Sequence, residues 1–100
     1  MLEVGKLHSC SGYYLMLYPD KEAAAEANYA NAFAGLAAAR ADVALWSKRF
    51  GKPVSYCDPK TPLLVLSVND KYHEVLAGDQ KGWIIYYDWL DIEEIDDEAA

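Results

Sequence analysis

Between Ala23 and Trp46 the chain reads AAAEANYANAFAGLAAARADVALW, half of it alanine. Two apolar series run through this stretch. Ala25, Tyr29, Ala32, Leu36, Ala39, Val43, Trp46 and Phe50 recur at alternating steps of four and three, with the bulky members toward the C-terminal half. Ala23, Ala27, Ala30, Ala34, Ala37, Ala41 and Ala44 recur at the same steps. At about 100° per residue the two stripes lie roughly 150–160° apart on a helix. Between them fall Asn28, Asn31, Gly35, Asp42 and Arg49 on one side, and Glu22, Glu26, Phe33 and Arg40 on the other.

The ends of this helix carry their own signals. Asp20 follows Pro19 as an N-cap, and Glu22 lies in the first turn. Lys48 and Arg49 fall in the last turn, Gly51 follows Phe50, and Pro53 is just beyond. The spacing predicts one helix over 20–50, about 46 Å long. The rest of the chain would form a body about 25–30 Å across, so a straight helix overhangs it. The alanine face lets another helix backbone approach closely, which predicts self-association through Ala23, Ala27, Ala30, Ala34, Ala37, Ala41 and Ala44. Two arrangements compete with this one. The alanine face could be solvated, alanine being chosen only for helix propensity. The helix could also break at Gly35 into a hairpin, although NAFAGLA offers no polar loop.

The remaining segments read as strands: Leu2–Cys10, Tyr13–Tyr18, Val54–Cys57, Leu63–Val68, Tyr72–Ala77, Trp83–Tyr86 and Leu90–Ile95. Asn69-Asp70 is a turn signal, and Gly78-Asp79-Gln80-Lys81-Gly82 a hairpin loop. Short strands with tight turns predict a small barrel built from 1–19 and 53–96. The helix of 20–50 is its insertion and 97–100 an acidic tail. One hundred residues suit this single domain.

The segment PLLVLSVNDKYHEVLAGDQKGWIIYYDWLDIEEI resembles the second half of a Src-homology-three-type barrel. Gly82-Trp83-Ile84 and Asp88-Trp89-Leu90 are similar to the Gly-Trp-Val and Asp-Tyr-Leu of bacterial versions, with one extra residue between Trp83 and Asp88. The resemblance implies an α+β fold, a small Src-homology-three-like β-barrel with the long Ala-rich helix inserted after its first strands. It also implies an aromatic ligand groove, with Tyr18, Tyr86 and Trp89 in comparable places. The competing role for the aromatics is to cover the large face of the helix in an internal seam. LMLYPDKE, WSKRFGKPVSYC and GWIIYYDWL further resemble small uncharacterised proteins of T-even-like cyanophages.

Charge and cysteines narrow the choice of function. The net charge is −7, which disfavours direct binding to bare nucleic acid. Acidity concentrates in DWLDIEEIDDEAA. It reads as a solvated edge or, alternatively, as an imitation of a phosphate backbone. Cys10 and Cys57 are too few for a disulfide framework and read as small buried hydrophobes. His8, Cys10, Cys57 and His73 match no familiar zinc spacing, so no metal or cofactor is expected. There is no phosphate loop, HExxH or nucleophile elbow. A Cys57–His73 or Cys10–His8 pair would lack an orienting group. No secretory leader or membrane span is expected, which points to the cytoplasm, that of a host if the protein is viral.

The expectation is therefore a non-enzymatic protein–protein interaction module. It would form a homo-oligomer through the Ala-rich helix and bind or modulate another protein, of the host or the virion. The alternative is an acidic DNA mimic that inhibits a nucleic-acid-binding protein.

Overall fold

Both faces of the strand carrying Tyr14–Leu17 (YLML) are covered by protein, which is why it holds no charged position. The computed structural model describes residues 2–11, 14–27, 33–34, 36–87 and 92–95. In chain order its elements are β1 (Leu7–Cys10), β2 (Tyr14–Leu17), α1 (Lys21–Glu26), β3 (Phe33–Ala34), α2 (Leu36–Phe50), β4 (Ser55–Cys57), β5 (Leu63–Asn69), β6 (Tyr72–Ala77), β7 (Gln80–Ile85) and β8 (Ile92–Glu94). The strands form two antiparallel sheets, one of five in the order β7-β6-β5-β1-β8 and one of three in the order β3-β2-β4.

Among the described residues, a bridge between Tyr18 and Trp83 joins the sheets. Tyr18, just past β2, donates its N–H to the carbonyl of Trp83 at 2.9 Å and accepts from the Trp83 N–H at 2.8 Å. From that junction β2 runs between two cores. Leu15 and Leu17 point toward the five-stranded sheet and pack with Cys10, Leu63, Val65, Val75 and Ile84. Met16 and Tyr18 point the other way and pack with Ala23, Ala24, Ala27, Trp46, Val54 and Ile85. The period-2 alternation of a strand thus serves two apolar layers, with the large sheet on one side of β2 and helices on the other.

The hairpins follow their turn chemistry. Asn69 faces Tyr72 across a turn whose Asp70 has φ 55°, a region that Asp tolerates. Ala77 faces Gln80, so the turn is Gly78-Asp79 alone, with Gly78 at φ 64°. Gln80, Lys81 and Gly82 extend β7 instead of lengthening the loop expected there. A register shift between Val65 and Ser67 inserts one residue into β5. It sets Val68 opposite His73.

The continuous helix over 20–50 is not present, and with it falls the α+β class. The fold is small and mainly β, with helices of six and fifteen residues where one rod was expected. The predicted ends were placed well. Asp20 caps α1, its Oδ1 accepting from the Ala23 N–H at 2.7 Å. Gly51, at φ 66°, follows the end of α2 and donates to the Ser47 carbonyl at 3.0 Å. Between these ends α1 stops at Glu26, β3 adds to the smaller sheet, and α2 returns to lie beside α1. Two ion pairs mark the return: Arg49–Glu26 at 3.2 Å and Lys52–Asp20 at 2.7 Å.

The physical reason for the break is burial. A straight rod would leave much of its length beyond the body, with Trp46 and Phe50 distant from Ala23. Folded back, the chain buries Ala23, Ala24, Ala27 and Trp46 in one cluster and packs Val43 and Phe50 against it. Each large side chain so buried contributes about 1.5–3 kcal/mol, more than the roughly 1 kcal/mol of a lost helix cap.

Candidate functional site

The sequence of α2 divides it into two faces. Val43, Trp46 and Phe50 follow the three-four spacing and turn inward. Trp46 and Phe50 stack with centroids 5.3 Å apart. The Arg49 guanidinium lies 5.2 Å from the Trp46 ring centre and also reaches Glu26. Ser47 ties the helix to the chain entering β4, since its Oγ accepts from the Val54 N–H at 2.9 Å and donates to the Val54 carbonyl at 3.3 Å. The inward face is thus engaged through Val43, Trp46 and Phe50. On the outward face lie Ala41, Ala44, Leu45 and Lys48, all exposed. Leu45 is 59% exposed, a large apolar side chain flanked by two exposed alanines on a helix that is otherwise well seated.

The predicted alanine face does not survive as one surface. Ala23 and Ala27 are buried in this chain's own core, because α1 packs against Tyr18 and Ile85. Ala34 belongs to β3 and pairs with Tyr14. Ala37, Ala41 and Ala44 lie on α2, the last two exposed. Ala30 is outside the described residues. Leu45 belonged to neither predicted stripe. Its signal in the sequence is a bulky residue four positions after Ala41 and next to Ala44.

The predicted partner-binding aromatics also separate. Tyr18 is buried between β2 and the helices, where its ring closes the second core, so it offers no surface. Tyr86 is half-buried and lies edge-on to His73, with ring centroids 5.2 Å apart. Trp89 lies outside the described residues. Tyr14 and Tyr56 meet edge-to-face at 5.7 Å and border the cluster around Trp46. Tyr18, Tyr14 and Tyr56 pack in the cluster that holds the helices, whereas Tyr86 packs against the core of the five-stranded sheet.

Cys57 sits where its thiol stays protonated at neutral pH. Its thiol is buried, and burial above all pushes it up to about 11, with Cys10 nearby adding in the same direction. Among the described residues no three or more His, Cys, Asp or Glu side chains converge as a metal site. The described residues line two open clefts. One of about 180 Å³ is lined by Asp20, Glu22, Ala23, Glu26, Phe50 and Lys52, and its Asp20 and Glu26 are taken up by Lys52 and Arg49. The other, of about 190 Å³, is lined by Tyr56, Cys57, Asp58, Thr61, Ala77 and Gln80. No helix among the described residues is long and apolar enough to cross a membrane.

Comparison of the chain with protein-family models, with curated proteins and with solved structures gives no match.

Proposed function

We propose that this chain is a non-enzymatic protein–protein interaction module that self-associates through the outward face of α2. The observation that carries the reading is Leu45, exposed beside the exposed Ala41 and Ala44 on a helix whose opposite face packs into the core. The strip is self-complementary. In an antiparallel pair of α2 helices crossing near Val43, Leu45 of each copy falls opposite Ala41 of the other. A bulky side chain then meets a small one twice, which is what a two-fold contact requires. Lys48 of each copy falls at opposite ends of the contact, so the two charges stay apart.

The strength follows from the area. Burying the exposed part of two leucines supplies about 2–4 kcal/mol, and the four alanines beside them add to it, so the gain roughly offsets the at least about 4 kcal/mol that association costs in lost freedom. The contact is therefore weak and reversible, and the face stays available to another protein in exchange for a second copy. The acidic-mimic alternative has less support. Of the acidic segment, Glu93 and Glu94 are described, on β8, and Glu94 is already paired with Lys6 of the same chain.

Analytical ultracentrifugation from micromolar to millimolar concentration tests the reading. The wild type should show a concentration-dependent dimer, and Leu45→Glu should remain a folded monomer throughout. A wild type that stays monomeric at millimolar concentration, or a dimer indifferent to Leu45→Glu, removes the proposal.

A further inference from the structure

His73 lies on the inner face of β6, on a different part of the molecule from α2. Its side chain has no solvent exposure, and neither ring nitrogen has a hydrogen-bond partner among the described residues. In register it sits between Val68 of β5 and Ile84 of β7. The Tyr86 ring covers it edge-on, with an interplanar angle of 81°. Tyr86 follows the end of β7 and is tied back by its N–H to the Lys71 carbonyl at 2.7 Å.

Few groups among the described residues face this imidazole. His8 approaches from β1, itself buried and with Nδ1 unpartnered among the described residues. The positive charge of the amino terminus also acts on it. Tyr86 contributes a ring edge from the segment after β7. Glu74, the neighbouring acid on β6, alternates to the opposite face, where it meets Lys81 and Ser67.

A neutral imidazole can sit in such a place. An imidazolium there would carry two N–H donors with no acceptor among the described residues. Burial first, then the amino-terminal charge and His8, hold its proton affinity down, from 6.5 to about 4. Once charged, the ring needs water. Its flanks, Val68 and Ile84, are locked in continuous sheet ladders, whereas Tyr86 lies beyond the last strand residue of β7. Tyr86 is the cover that yields.

We propose that His73 and Tyr86 form an acid-operated latch, in which the neutral imidazole seats the Tyr86 ring and its protonation releases Tyr86. Because a proton is taken up on opening, the closed state weakens as pH falls from about 6.5 to about 4. The device is independent of the α2 contact and exposes an aromatic side chain on acidification.

Hydrogen exchange followed by mass spectrometry tests the latch, corrected for the intrinsic pH dependence of exchange. Between pH 6 and pH 4 the Tyr86 amide should lose about tenfold or more of its protection, while β5 and β6 keep theirs. His73→Phe should abolish this loss and His8→Phe should keep it. Unchanged protection at Tyr86, simultaneous loss across the whole sheet, or a persisting loss in His73→Phe would each overturn the latch. If His73→Phe does not fold, ¹⁵N spectra of the wild-type imidazoles decide the matter. The His73 midpoint must coincide with the loss at Tyr86, and separate midpoints refute the coupling.

Discussion

Leu17 and Gly82 touch in a way that forbids a side chain at position 82. A Cβ built on Gly82 would lie 2.8 Å from the Leu17 Cβ and 3.4 Å from the Tyr18 carbonyl oxygen. This is where β2 of the small sheet crosses β7 of the large one, one residue from the Tyr18–Trp83 junction. Gly82→Ala must push the two strands apart at their tightest point. The expected loss is about 1–3 kcal/mol, the range for overpacked cores. Urea denaturation should show a lower midpoint with an unchanged slope, and a neutral result would mean that the sheets are less closely apposed.

The second prediction contrasts the faces of α2. Trp46 is almost wholly buried, stacked on Phe50 and covered by Arg49. Its truncation to alanine should cost about 3–5 kcal/mol, a large share of the stability of a domain this size. Leu45→Ala, one position along, should fall within about 0.5 kcal/mol, since that side chain is already in water in the free chain. Thermal denaturation of dilute protein separates the two. Comparable losses would mean that α2 is rotated from its described seat.

These two sites show what the sequence could and could not reveal. The strand segments YLML, LLVLSV, YHEVLA and WII were legible because period-2 patterns and turn residues are local. The caps at Asp20 and Gly51 were legible for the same reason. The break between α1 and α2 was not. Alanine at three-four spacing supports a helix anywhere along 23–44, and local propensity cannot say whether Ala23 and Ala27 will face Tyr18 of the same chain or another molecule. That choice rests on contacts far apart in sequence, such as Arg49 with Glu26 and Lys52 with Asp20. Tyr18 was misplaced for a related reason. Alternation indicates that half of a strand's side chains point away from one core, but not that a second core lies on the other side. Leu45 was passed over because it lay off both stripes.

The cap of α1 gives a pH-dependent prediction. The Asp20 carboxyl is held below its ordinary 3.8, first by the hydrogen bond from Lys52 and then by the Ala23 N–H. A depressed carboxyl stabilises the fold above its ordinary value, and that contribution is lost as pH falls through the lower folded value. Asp20→Ala should cost about 1 kcal/mol at neutral pH, as capping losses do. Asp20→Asn keeps a cap acceptor and gives up the charge, so it should retain most of that stability. The gap between wild type and Asp20→Ala should narrow below pH 4. Equal effects of the two variants at neutral pH would place the stabilisation in the Lys52 ion pair instead of the cap.

Cys57 supplies the last prediction. Its thiol is shifted by burial to about 11 against an ordinary 9.0. At pH 8 the thiolate fraction is then about one in a thousand, against about one in ten for an unshifted thiol. Access compounds this, because the side chain sits in the core with Leu15 and Ala77. Alkylation by iodoacetamide at pH 8 should therefore run at least about 100-fold slower in the native protein than in denaturant, and Cys10, more deeply enclosed, should lag with it. The same shift bears on alkaline stability. The unfolded thiol ionises first, so the fold should weaken between about pH 9 and 11. Cys57→Ala should flatten that decline at the cost of a small cavity. Rapid labelling of native Cys57 would mean that β4 opens readily from β2, and the second cleft, whose wall includes Cys57, would then be the place where the fold breathes.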